Sequence, residues 1–515
     1  MFDALQQAAH LALGWDAIFG VALGTIVGLV FGAIPGLTFS MALALMLPVT
    51  FAMSASAGMA VLIGTYMGGM TGGSVSAILL GIPGTPSAAA TVLDGHPMAK
   101  QGRASVALGT AVIVSAFGGL FSLFIMIAVA EPIARLAIAF GPAEIFALVL
   151  FGLATICGLA EKSMIKGMVA GIIGLMLVVV GMDPIMGSQR LTFGITDLLQ
   201  GVNLVVAMIG LFAVPQVLST FIDYRRNGPS TSTALANKVR PELPKWRELA
   251  SNFWLMARCA LIGTGIGAIP GTGGPIAAFL AYDHARRFSK RRDAFGTGIL
   301  EGVVAPETAN NAVTGGALIP LFTLGIPGDP ATAVMLGGLM IHGLTPGPML
   351  FQNNLPEVYA VYISVIVSYL LILLVQLVGI RFFVKVLQIP HHYMAVVILV
   401  MCAIGSFAIR NSIFDVYTMG LLGGIGYVLL RVGIPIPPIV LGLVLGGLVE
   451  SQYRSALTLS DGSFDIFYTS PIADLFFGAT LLMIVLQIRS MIRKAIAARA
   501  EAGRRVAAVS ASSAE

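Results

Sequence analysis

The sequence predicts an all-α polytopic membrane protein, built as two inverted-topology repeats with broken helices or re-entrant hairpins. Three observations carry this prediction. Of 515 residues, 57% are hydrophobic and only 10% charged, whereas a soluble domain carries about 25% charged residues. Apolar runs of membrane-crossing length recur along the chain; each span takes about 20 residues, so the length allows roughly a dozen. One set of Gly/Pro motifs also occurs twice in the same order. So few charges exclude a water-soluble enzyme, a disordered chain and a nucleic-acid binder. The bilayer is the expected partner of most of the surface.

Taken in order, apolar runs near 16–34, 105–128, 143–160, 164–181 and 200–222 form a first series of spans. A second lies near 252–270, 357–380, 392–409, 412–430, 435–449 and 471–489. Residues 36–94 and 272–348 are apolar but too rich in Gly and Pro for simple straight spans. Most of the 29 basic residues fall in 223–248, 284–293 and 489–505, which the positive-inside rule assigns to the cytoplasm. No Lys or Arg precedes Lys100, so the basic start of a cleaved signal is not expected. Domains follow: 1–222 a first transmembrane repeat, 223–250 a cytoplasmic linker, 251–490 a second repeat plus a final span, and 491–515 a basic cytoplasmic tail.

Duplication is visible in the motifs. Gly28-Leu-Val-Phe-Gly-Ala-Ile-Pro-Gly36 matches Gly263-Thr-Gly-Ile-Gly-Ala-Ile-Pro-Gly271 at six of nine positions. Thr71-Gly72-Gly73 precedes Gly81-Ile-Pro-Gly84, as Thr314-Gly315-Gly316 precedes Gly325-Ile-Pro-Gly328. The stretch from Pro48 to Ser56 is uncharged, but its counterpart at 284–293 is basic. After the Gly-Ile-Pro-Gly elements the bias reverses, with Lys100 and Arg103 in the first half and no basic residue from 343 to 357. Opposite bias in matching loops predicts opposite orientation, with the N-terminus outside.

Proline removes a backbone donor and ends a helix, and glycine lets the chain turn. Four Pro-Gly pairs therefore predict four helix breaks: Pro35-Gly36, Pro83-Gly84, Pro270-Gly271 and Pro327-Gly328. In lipid such breaks survive only against protein or a wet cavity. Half-helix N-termini offer N–H donors and partial positive charge to a carboxylate. The candidate substrate residues are Gly36, Thr38, Ser74, Gly84, Thr85, Ser87, Gly271, Thr272, Gly328 and Thr332, the hydroxyls adding donors of adjustable direction. Asn310, Asn311, Thr314 and Asp329 are the candidate cation-coupling residues, able to offer hard oxygens to Na⁺ or, at Asp329, to take a proton. Each has a plainer alternative: the hydroxyls can pack helices, and Asp329 can cap the half-helix that starts at Pro330. Glu301 and Glu307 fit either the same cavity or a rim beside the basic 284–293.

Cys157, Cys259 and Cys402 are widely spaced in apolar surroundings and are expected to be small hydrophobes. His96, His284, His342 and the pair His391-His392 fit interfacial positions better than a metal site. No metal, nucleophile or phosphate-binding motif is present, so no catalytic residues and no cofactor are expected beyond a coupling ion, Na⁺ or H⁺.

The motifs resemble a known family. Tyr66-Met-Gly-Gly-Met-Thr-Gly-Gly-Ser74, Gly81-Ile-Pro-Gly-Thr-Pro86, Asp94-Gly-His-Pro-Met98, Ala305-Pro-Glu-Thr-Ala-Asn-Asn-Ala312 and His342-Gly-Leu-Thr-Pro-Gly-Pro348 are similar to the large membrane subunit of tripartite tricarboxylate transporters (TctA type). The resemblance implies a multi-pass protein of the bacterial inner membrane that takes up carboxylates, citrate in the type case, on an ion gradient. It implies two partners, a small membrane subunit and a periplasmic solute-binding protein. The rival functions are a passive anion channel, for which a continuous polar path is expected, and a membrane-embedded lipid-modifying enzyme, for which a nucleophile–base pair or metal cluster is expected.

Overall fold

The computed structural model describes residues 2–158, 164–183, 185–227, 244–386 and 391–489. The middle of the expected linker and the expected basic tail lie outside the described residues. Helices α1 (Phe2–Leu13), α2 (Trp15–Ala33), α3 (Phe39–Thr50), α4 (Ala55–Leu80), α5 (Ala89–Lys100) and α6 (Ala104–Ala137) open the chain. They are followed by α7 (Pro142–Gly158), α8 (Met164–Val178) and α9 (Leu204–Asn227), with a two-residue antiparallel pairing of Gly181 with Arg190 in the loop between the last two. The second half holds α10 (Trp246–Ser251), α11 (Phe253–Ala268), α12 (Gly273–Phe288), α13 (Glu301–Leu324), α14 (Pro330–Ile341), α15 (Leu350–Asn353) and α16 (Leu355–Val386). It closes with α17 (His391–Arg410), α18 (Ile413–Arg431), α19 (Ile436–Leu459) and α20 (Pro471–Arg489).

Among the described residues, eight helices are long and apolar enough to cross a membrane: α2, α6, α9 and α16 to α20. The expected spans at 164–181 and 252–270 are helical but shorter, and the described part of 143–160 is helical. Within 36–94, where no simple straight span is expected, α4 runs unbroken for 26 residues, about 39 Å at 1.5 Å per residue. Its glycines serve contact instead. A Cβ on Gly68 would stand 2.4 Å from the Thr25 carbonyl, and one on Gly24 of α2 would stand 2.0 Å from the Val61 carbonyl. Small residues let the two backbones touch, which in lipid replaces the missing hydrophobic drive.

The order helix, break, half-helix, long helix, break, half-helix, long helix occurs twice: α2 to α6, and α11 to α14 followed by α16. Contacts between the halves are reciprocal. The long helix α4 packs against α16 and its counterpart α13 against α6; α3 packs against α14, and α12 against α5. Around this centre α9 joins α3, α17 and α18, and α19 joins α7, α8 and α14. The apolar window of α20 is only 11% buried within the protein, so this last helix is peripheral.

Candidate functional site at the four helix breaks

Each break follows from local sequence. Both Gly81 after α4 and Gly325 after α13 take left-handed φ, +69° and +70°, a conformation that ends a helix cheaply only at glycine. Gly36 and Gly271 turn the chain after α2 and α11 with φ of +89° and +85°. Thr38 then caps α3, accepting from the Met41 N–H at 3.2 Å. Asp329 caps α14: its Oδ1 accepts from the Thr332 N–H at 2.8 Å while Thr332 Oγ1 accepts from the Asp329 N–H at 2.8 Å.

The four breaks close into a ring. A Cβ on Gly84 would lie 2.1 Å from the Gly32 carbonyl, which joins the first two breaks. The Gly271 N–H donates to the Gly328 carbonyl at 2.7 Å, which joins the last two. Across the halves, Gly274 at the start of α12 sits where a Cβ would be 2.4 Å from Ser87 Oγ and 2.7 Å from Asn310 Oδ1. On the opposite side the Tyr66 hydroxyl donates to Asp329 Oδ2 at 2.5 Å, and the Tyr66 ring lies 6.2 Å from that of Phe39. The fourth break, Gly325 to Asp329, is wholly buried, whereas Gly36, Ile82, Pro86 and Ile269 expose the other three.

Counted from the two Gly-Ile-Pro-Gly elements, Asp329 is the counterpart of Thr85, and Asn310 of Tyr66. The ring therefore has two equivalent corners with different chemistry. One is closed, since Asp329, Thr332 and Tyr66 satisfy one another. The other is open: Thr85 Oγ1 and Asn310 Oδ1 are buried without a partner, and α12 begins without a side-chain cap at Thr272. A buried polar atom left unpaired costs about 1–3 kcal/mol, so such atoms mark a place where a ligand or water completes the bonding. A hydroxyl beside an uncapped helix start suits a carboxylate, and the amide oxygen suits a donor group or a cation.

The expected residues distribute as follows. Thr85, Ser87, Thr272 and Asn310 gather at the open corner, and Asp329 and Thr332 at the closed one. The Thr272 hydroxyl donates to the Ile269 carbonyl at 2.9 Å and that of Ser74 to the Thr71 carbonyl at 2.8 Å, the packing alternative. The N–H of Gly84, at 3.4 Å from the Gly73 carbonyl, and that of Gly271 are engaged within the protein. Gly36 faces outward near Gln216, and Gly328 is pressed against Ala317 and Gly267.

The four cation candidates do not form one cluster. Asn310 Nδ2 donates to the Met70 carbonyl at 3.2 Å, and Asn311 Nδ2 donates to Ser115 Oγ at 2.7 Å. The Thr314 hydroxyl donates to the Asn311 carbonyl at 2.7 Å and lies 3.1 Å from the Tyr369 hydroxyl. Sequence reasoning missed Tyr66 and Tyr369, although the internal alignment of Tyr66 with Asn310 pointed at the first. Glu301 pairs with Arg291 at a rim, while Glu307 is 0% exposed. Cys259 and Cys402 are buried and free, and the Cys157 side chain lies outside the described residues.

A duplicated set of broken helices, joined at their breaks and ringed by apolar helices, defines a polytopic membrane protein. The chain belongs to the tripartite tricarboxylate transporter TctA family, whose sequence model matches residues 18–441. It is 35% identical over 474 residues to an uncharacterized 52.8 kDa protein in the TAR-I ttuC' 3'region of Agrobacterium vitis, covering 92% of this chain and 93% of that protein. It is 38% identical over 231 residues to an uncharacterized protein in the TAR-II ttuC' 3'region of the same organism, covering 45% of this chain and 96% of that protein. No solved structure matches.

Proposed function

We propose that this protein is the large membrane subunit of a tripartite, binding-protein-dependent carrier that takes up a carboxylate on an ion gradient by alternating access. Its partners are a small membrane subunit and a periplasmic solute-binding protein, and its site is the bacterial inner membrane. The observation that carries the proposal is the open corner of the ring. Thr85 Oγ1 and Asn310 Oδ1 stand unpartnered beside Ser87 and the uncapped start of α12, where peptide dipoles favour an anion without an arginine. Cargo held there lies between the two halves, so a relative movement of the halves changes the side on which it is exposed. The coupling ion, Na⁺ or H⁺, belongs to the same proposal. Asn311 and Thr314 belong to the side-chain network between α13, α6 and α16, and Asp329 to the closed corner.

Orientation follows from the basic residues. Lys100 and Arg103 meet the loop before α13 through Gln101, whose Nε2 donates to the Thr297 carbonyl at 2.7 Å, and Lys166 donates to the Val432 carbonyl. These, with Arg225, Lys245, Arg247 and Arg286 to Arg292, form the more basic set of helix ends and are placed in the cytoplasm. Under this assignment α2 and α3 enter from and return to the outer face, α11 and α12 do the same from the cytoplasm, and the second repeat is the first turned over. The test is uptake of labelled citrate, as probe, into proteoliposomes holding both membrane subunits with the binding protein outside. Accumulation and counterflow support the carrier, and flux without counterflow supports a channel instead.

A further inference from the structure

Glu307 lies in the middle of α13, is 0% exposed, and uses neither a helix end nor a backbone N–H. Its Oε1 accepts from the Thr91 hydroxyl of α5 at 2.5 Å and its Oε2 faces the Ser115 hydroxyl of α6 at 3.4 Å. The other buried carboxylates are provided for differently. Asp94 accepts from the N–H groups of Gly296, Gly298 and Ile299 and from the Tyr282 hydroxyl. Asp329 has its cap and Tyr66, Asp183 has Arg190 and Arg454, and Asp415 has Arg410. Among the described residues, no cation lies within ion-pair distance of Glu307.

The elements packed on α13 supply none from further off. Tyr66 on α4 is spent on Asp329, and His96 on α5 faces the Ile78 carbonyl. On α12, Arg287 pairs with Asp283 and Tyr282 with Asp94, and on α6 the exposed Arg135 pairs with Glu131. Arg258 on α11 turns to the Trp254 carbonyl, its neighbour Cys259 is a buried thiol, and Tyr369 on α16 holds Thr314. Lys100 at the end of α5 is exposed, and His284 and Arg286 lie toward the C-terminal end of α12, Arg286 within its basic last turn. The charge that does come near is of the same sign: Asp94 lies one helical turn beyond Thr91 on α5. A bare carboxylate in that position is costly unless something neutralises it.

We propose that Glu307 is the site of the coupling ion and that the ion is a proton, carried as a carboxyl group held between Thr91 and Ser115. Both hydroxyls can donate or accept, so a rotation of either accommodates the carboxyl and the carboxylate in turn. The network reaches the transport centre by two routes. Thr91 stands one turn beyond the second break, with Thr85 and Ser87. Ser115 accepts from Asn311, which in turn accepts from Thr71 on α4 at 2.8 Å. Loss of the proton leaves a charge that α5 and α13 no longer stabilise at their present separation, and the second break moves with α5. The inference rests on the carrier function proposed above.

Infrared difference spectroscopy of the purified full chain in lipid, at neutral against alkaline pH, tests proton carriage without any substrate. The expected result is a protonated-carboxyl band that Glu307→Gln abolishes and Thr91→Val shifts through loss of a hydrogen bond. A wild-type spectrum without such a band, or a band unchanged in both variants, overturns the proposal. Coupling is read in proteoliposomes holding the complete three-component system, with citrate as probe. A pH gradient in sodium-free buffer is expected to drive accumulation, and Glu307→Gln to reduce it to the level without a gradient while counterflow persists. Accumulation that follows sodium alone overturns the proton assignment and leaves the carrier standing; absence of both uptake and counterflow in the wild type counts against the carrier itself.

Discussion

Removing the Asp329 side chain breaks two things that can be measured apart. Asp329→Ala deletes the cap of α14, about 1 kcal/mol, and leaves the buried Tyr66 hydroxyl without its acceptor, a further 1–3 kcal/mol or so. The expected loss is therefore about 2–4 kcal/mol of folding stability. Tyr66→Phe alone removes a buried hydrogen bond, about 0.5–1.5 kcal/mol. In the double variant no hydroxyl is stranded, so the combined loss falls short of the sum by about 1–3 kcal/mol. Asp329→Asn retains an acceptor for the Thr332 N–H and keeps most of the cap. Equilibrium unfolding in mixed micelles, followed by labelling of the buried Cys259 and Cys402, measures all four proteins. Strict additivity of the two single losses would show that the Tyr66–Asp329 bond at 2.5 Å does not tie the halves together.

Three further outcomes follow from the geometry. Gly24→Ala pushes a methyl within 2.0 Å of the Val61 carbonyl and is expected to cost about 1–3 kcal/mol, while Gly265→Ala, with open space around it, leaves unfolding unchanged. Thr85→Val removes a hydroxyl that bonds nothing in the protein, so stability is retained, but loss of a bond to a charged carboxylate, about 1.5–3 kcal/mol, raises the KM for uptake about tenfold or more; unchanged uptake kinetics would remove Thr85 from the site. Outside the membrane, the Arg454 guanidinium, the Ile185 and Met186 N–H groups and Arg190 hold Asp183 well below the usual carboxylate range. A lowered folded value means that stabilisation is full above the unfolded value of about 3.9 and is lost as pH falls through the folded one. Hydrogen exchange of residues 181–190 is thus expected to be flat from neutral to mildly acidic pH in the wild type and fast throughout in Asp183→Asn.

The breaks were legible because proline and glycine act locally: Pro35-Gly36 and Pro270-Gly271 end helices whatever surrounds them. The glycines within 36–94 misled for the converse reason, since that stretch reads as too rich in Gly and Pro for a straight span yet holds α4. A glycine inside a helix is tolerated when another backbone needs its space, and the need of α2 cannot be read from α4 alone. Hydroxyl and carboxylate roles depended on partners far along the chain. Nothing near Asp94 announces the N–H groups of Gly296 to Ile299, and nothing near Asp329 announces Tyr66. Glu307 looked equally suited to a rim and to the interior because its neighbours Ala305, Pro306 and Thr308 fit either. Only the packing of α5 and α6 over it decides.

Side-specific labelling of a cysteine at Ser87, in a protein otherwise free of cysteine, tests most directly whether the open corner is where cargo sits. A membrane-impermeant thiol reagent is expected to reach Ser87→Cys from one face of the bilayer, and a transported carboxylate, delivered by the binding protein, to slow it. A cysteine there that resists the reagent from both faces, with and without cargo, would mean that the helix breaks hold the fold together and carry nothing.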